Sequence, residues 1–170
     1  MAIGIIDIVT CTVRAYDKAV QSMFNITLGD VPEILKRPVI REHKIKSPRG
    51  TITSVIYLTD AATSKLSGYL IVKIDRNMAK KLLEKLGLSD KITYEEIKDS
   101  CGELCNMIAG YLKTEFAAVG VKGVAISAPS IFEDEIDQDI EGLSTDYRYL
   151  MTVFCKEFGQ LFTSEITFQG

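Results

Sequence analysis

Apolar residues recur at helical spacing near the start of the chain. Val9, Val13, Tyr16, Val20 and Met23 fall near one face, with Arg14, Asp17, Lys18 and Gln21 mostly elsewhere. This predicts an amphipathic helix over about 7–24. Its β-branched residues lower intrinsic helix preference, so burial must support it. Gly29 and Asp30 end the region, and a connecting stretch with Pro32 and Pro38 follows. The period then changes. Residues 39–46 alternate roughly, Ser47-Pro48-Arg49-Gly50 is a turn signal, and the β-branched run 51–58 reads as a strand. A further strand at 67–74 completes a predicted antiparallel meander of neighbouring strands.

Helical spacing returns after Asp75, which is placed to cap a helix over 76–86. Met78, Leu82, Leu83 and Leu86 give its apolar stripe, and Gly87 suits its C-terminal stop. Thr93 with Glu96 makes a capping box for a longer helix, expected to run to about 119 with Gly120 just past its end. The remainder reads as a strand over 121–128 before Pro129, an acidic loop over 133–141, and two strands, 147–157 and 160–168, joined around Gly159. The order of elements predicts an α+β fold. A mainly antiparallel sheet would carry the N-terminal helix and the two further helices packed on it, within a single domain over 1–170.

The long helix separates its residues cleanly. Ile97, Cys101, Leu104, Ile108 and Leu112 cluster on the side expected to face the core. Asp99, Glu103, Asn106, Gly110 and Lys113 form a stripe on the opposite side. Gly102 and Gly110 lie on or beside this stripe, although glycine inside a helix costs about 1 kcal/mol relative to alanine. Two readings follow from that cost. The glycines permit close packing of another element of the same protein, or they leave low ground for a partner to approach. Asn carries a donor and an acceptor in one rigid amide, suited to holding a water against a phosphoryl group. Glu offers an acceptor for a cation on a partner.

Composition narrows the alternatives. The net charge of −3 at pH 7, with no basic stripe carrying interleaved aromatics, gives nucleic-acid binding little support. No apolar run reaches membrane-spanning length, and Asp7 interrupts a short apolar start that lacks a positive leader. The expectation is a cytoplasmic protein with no membrane partner. Cys11, Cys101, Cys105 and Cys155 have no disulfide-framework spacing, and buried structural thiols are expected. His43, the one histidine, shows no catalytic partner, and the acidic run lacks the glycine and spacing of an EF-hand.

Asp99, Glu103, Asn106 and Pro129 are separated by three, two and 22 residues. This pattern resembles the signature of the CheC/CheX/FliY family of chemotaxis phosphatases. The text from Asp99 to Gly110, and the single copy of the motif, resemble the CheX branch in particular. The likeness extends more loosely to the N-terminal helix, the strand ending at Ile74, and the final strand with Phe162, Glu165 and Ile166. It implies hydrolysis of the aspartyl phosphate of a CheY-type receiver, with Asn106 aligning the attacking water and Glu103 pairing with a receiver lysine. It further implies that Asp99 supports the helix face or contacts the receiver. Gly102, Gly110 and Lys113 would belong to the docking face, and Pro129 would shape the segment beside the helix. No cofactor or metal would be bound by this chain, Mg²⁺ would reside in the receiver, and a homodimer formed through sheet edges is expected. A non-catalytic module that binds a phosphorylated receiver, or a dimeric scaffold, is the alternative.

Overall fold

The computed structural model describes residues 4–29, 32–38, 43–88, 91–133, 137–140 and 147–169, with the backbone alone at 38, 43, 44, 46 and 137–140. The first apolar stripe forms helix α1 (Ile5–Phe24). Tyr16 and Val20 are buried along with Cys11, Ala15 and Ala19, while Val9, Val13 and Met23 flank this seam half-buried. Asn25 closes α1 in the left-handed region at φ 53°, and its amide donates to the Gln21 carbonyl.

Asp75 accepts hydrogen bonds from the amides of Asn77 and Met78 at the head of α2 (Arg76–Lys85). Gly87 follows at φ +81°, the left-handed conformation that suits glycine. Leu86 is exposed at the end of α2, outside the stripe expected to include it. The third helix, α3 (Tyr94–Ala118), opens on the expected capping box. The Glu96 amide donates to the Thr93 hydroxyl at 3.2 Å, and the Thr93 amide donates to the Glu96 carboxylate at 2.7 Å.

The strands are β1 (Glu33–Pro38), β2 (His43–Lys46), β3 (Thr51–Asp60), β4 (Leu66–Asp75), β5 (Val124–Ile126), β6 (Ser130–Glu133), β7 (Asp137–Ile140), β8 (Tyr147–Cys155) and β9 (Gly159–Phe168). Seven of them form one antiparallel sheet in the order β1-β8-β9-β4-β3-β5, with β6 also paired to β3. Helices on a mainly antiparallel sheet give the α+β architecture that the order of elements predicts. Residues of α1, α2 and α3 share one core with Ile52, Leu70, Val72, Met151 and Ile166 of the sheet. Ile45, Val55, Tyr69 and Ile71 form a smaller cluster with Tyr57 and Phe132. Alternate residues of β3 and β4 thus enter different apolar clusters, so these strands read as nearly continuous apolar runs.

Four sequence expectations are corrected. Residues 33–38 form β1 on β8, and Pro38 ends that outer strand, where its missing N–H is tolerated. β3 and β4 pair as expected, but β2 pairs with β7 in a separate two-stranded ribbon and does not continue the meander. The segment read as one strand over 121–128 shortens to β5, and β6 begins just after Pro129, which has no N–H to donate. The acidic run contains β7 and begins at the end of β6. Residues 39–42, 134–136 and 141–146 and the side chain of His43 lie outside the described residues. Among the described residues, no helix is long and apolar enough to cross a membrane.

α1 and α3 run against each other, joined by a buried carboxylate. Glu115 accepts from Lys18 and lies 3.6 Å from the Arg14 guanidinium. Ser22 and Tyr111 share a hydrogen bond of 2.8 Å further along the seam. In the sheet, the backbone of β9 lies against β4 at Gly68, where a Cβ would overlap the Thr167 carbonyl oxygen and lie 2.9 Å from the Phe168 Cα. Backbone cannot yield as a side chain does. Gly68→Ala should therefore destabilise the protein by about 1–3 kcal/mol, read as a lower urea midpoint at unchanged m-value.

Candidate functional site

α3 is one unbroken helix of 25 residues, about 37 Å long. Its apolar side enters the core as the pattern requires: Ile97, Cys101, Leu104, Ile108 and Leu112 are all buried. That burial sets the rotation of the helix. Asp99, Glu103 and Lys113 are consequently exposed, and Asn106 and Gly110 are half-buried. Glu103 and Asn106 stand three residues apart, about 60° around the helix and about 4.5 Å along it. Among the described residues, neither side chain has a hydrogen-bond or ion-pair partner within the chain, and neither does that of Asp99. A carboxylate and an amide held side by side on a buried rod, with no internal partner, are available to an outside group.

The two glycines divide between the readings open from sequence. Gly102 is buried beside the stripe, which corrects the docking-face place that the resemblance implies for it. A Cβ there would stand 2.5 Å from Ile131 Cδ1 and 3.9 Å from Pro129 Cγ. Gly102 thus lets β6 and the residue before it lie close against α3. Pro129 lies beside the helix at this point. Asn106 is one turn beyond Gly102 on the same side of the helix, so the Pro129 segment lies towards the Asn106 side of the stripe. Gly110 is different: a Cβ there would meet nothing within 4 Å. It borders a shallow depression of about 270 Å³, lined also by Met107, Tyr111 and Thr114.

Ion pairs hold the other side of α3. Lys98 bridges Glu95 at 2.8 Å and Glu133 of β6 at 3.1 Å. Hydrogen bonds to these two carboxylates, Glu95 first, raise the Lys98 ammonium pKa above its ordinary value. Bonds from Lys98 and Tyr94 hold Glu133 below the usual carboxylate range. The Lys98–Glu133 tie, the Met107–Tyr111–Thr114 depression and the Glu115 clamp were not singled out from the sequence. Helical spacing does carry a signal for the depression, because Met107 is four residues from Glu103 and Gly110 is four from Asn106.

All four cysteines are buried and unpaired. Burial pushes the Cys101 thiol up to about 12, and burial raises Cys105 as well. Cys105 donates to the Ser54 carbonyl at 3.7 Å. Cys101 and Cys105 are therefore neutral packing groups at pH 7, far from the thiolate that nucleophilic attack or metal ligation needs. Among the described residues, no cluster of His, Cys, Asp and Glu is arranged to hold a metal ion.

An α+β layer with a bare carboxylate–amide face on its central helix defines a class, and comparison assigns the family. The model of the chemotaxis phosphatase CheX matches residues 52–146, a span that includes all of α3. The chain belongs to the CheX family of chemotaxis phosphatases. No curated protein sequence matches it. Among solved structures, a putative chemotaxis protein from Desulfovibrio vulgaris Hildenborough is 21% identical, with a TM-score of 0.67 over 95% of this chain and 96% of that one. The chemotaxis protein CheX from Desulfovibrio desulfuricans is 19% identical, with a TM-score of 0.68 over 95% and 98% of the two chains. A CheX–CheY–BeF3–Mg²⁺ complex from Borrelia burgdorferi matches at 17% identity and a TM-score of 0.62, over 95% and 97%. At these identities the likeness is one of fold.

Two outcomes test the site's construction. Gly110→Ala should raise stability by about 0.5–1 kcal/mol through helix propensity alone. Gly102→Ala gains the same propensity but must displace Ile131, so its unfolding free energy should fall at least about 1 kcal/mol below that of Gly110→Ala. Separately, a chromogenic disulfide reagent at pH 7 should label the four cysteines slowly in the native protein and rapidly once it is denatured.

Proposed function

We propose that this protein hydrolyses the aspartyl phosphate of a CheY-type receiver domain, with Asn106 orienting the attacking water and Glu103 docking on a receiver lysine. The carrying observation is the unpartnered Glu103–Asn106 pair on an unbroken helix whose opposite side is buried. Membership of a chemotaxis phosphatase family supports the reaction class. The Borrelia complex, in which a CheX chain is bound to CheY with BeF3 and Mg²⁺, supports the kind of partner.

The reaction asks little of the helix beyond position. In an acyl phosphate the carboxylate is a good leaving group, and the phosphoryl group passes through a loose transition state. The Asn106 carbonyl oxygen accepts a hydrogen bond from a water and turns its lone pair towards phosphorus. The new P–O bond forms as the bond to the aspartate oxygen breaks, releasing inorganic phosphate and a free carboxylate. Asn106 takes no proton. Glu103 accepts from the receiver lysine and sets where α3 lies over the phosphoryl group. Mg²⁺ belongs to the receiver, and this chain supplies neither metal nor nucleophile. Asp99 and Lys113, exposed on the same side of α3, extend the contact. The outer edge of β1, with exposed Ile34 and Leu35, supports edge-to-edge pairing of two copies.

Phosphate release from phosphorylated receivers tests the reading. Asn106→Ala should keep the circular dichroism spectrum and thermal midpoint of the wild type and lose about 10²-fold or more in kcat. Glu103→Ala should act mainly by raising KM for the receiver. Undiminished release by the Asn106 variant would defeat the proposal.

A further inference from the structure

Gly102 has an internal reason to be glycine, and among the described residues Gly110 has none. A glycine in the middle of a long helix lowers stability, and no neighbour within 4 Å of a Cβ explains this one. We propose that Gly110 and the depression it borders form the receiver-selecting part of the docking face, admitting an apolar side chain that the receiver presents beside its phospho-aspartate. This rests on the receiver-phosphatase reading above and adds the determinant of which receiver is accepted.

Helix geometry supplies the occupant. Gly110 lies one turn beyond Asn106, about 6 Å along the axis, and Met107 lies one turn beyond Glu103. A domain that engages Glu103 and Asn106 together lies within one helical turn of Gly110 and Met107. The lining supplies the chemistry. The Thr114 hydroxyl donates to the Gly110 carbonyl at 3.2 Å, and the Tyr111 hydroxyl is engaged by Ser22 at 2.8 Å. The Thr114 proton is committed to the Gly110 carbonyl and the Tyr111 hydroxyl is turned to Ser22, so the Met107 side chain and the Tyr111 ring give the depression its apolar surface. The bond to Ser22 holds Tyr111 at one side of the depression.

Gly110→Ala and Gly110→Leu test this against Asn106→Ala. The probes are receiver domains from the source genome, loaded with beryllofluoride and Mg²⁺ for Kd, and phosphorylated for kcat and KM. Gly110→Leu should raise Kd and KM roughly tenfold or more for the receiver that the wild type prefers, with kcat at saturation unchanged. Gly110→Ala should do so to a lesser extent, and its Tm should equal or exceed that of the wild type. Asn106→Ala should show the reverse split, with kcat lost and Kd retained. Wild-type Kd in both Gly110 variants would overturn the inference while leaving the phosphatase reading intact. Binding without phosphate release by the wild type would end the phosphatase reading, and a loss of binding by the Gly110 variants that is larger for the preferred receiver than for the others would still support the selecting role. Failure of the wild type to bind any loaded receiver would overturn both.

Discussion

Burial of one side of α3 is the constraint on which the rest depends. Ile97, Cys101, Leu104, Ile108 and Leu112 enter the core together, and a helix with five such residues has one stable rotation. Turning it by a single residue would put about 100° between those side chains and their seats. Glu103 and Asn106 are directed outward by the same packing that holds the protein together. The orientation of the candidate face and the stability of the fold are in this sense one structure.

That constraint also explains how much could be read from the chain itself. The α3 stripe, its Thr93–Glu96 cap and the Asp75 cap of α2 are local features, fixed by residues three or four apart. Such spacing is visible in sequence. β1 is not visible in this way, because Glu33–Pro38 carries two apolar residues among charges and becomes a strand by pairing with β8, more than a hundred positions away. The β2–β7 ribbon has the same origin, and Ile45 is buried by contacts that no local pattern announces. Gly102 shows the limit at the site. Its position by helical angle is near the exposed stripe, but β6 covers it, and only the placement of Ile131 reveals that.

The motif residues were legible by their spacing: the Asp99, Glu103, Asn106 and Pro129 pattern pointed to a family before any coordinates did. What surrounds them was not. Nothing in the sequence pairs Lys98 with Glu133 or the Tyr111 hydroxyl with Ser22. These partners come from other elements, so their pairing depends on tertiary structure.

Glu115 has a mechanical consequence. A carboxylate sealed between two helices is costly without its cations, and Arg14 and Lys18 flank it from successive turns of α1. Sliding α1 in either direction along α3 would carry one of the two cations out of reach. The pair therefore behaves as a keyed plate, and any partner seated on one helix presses on both.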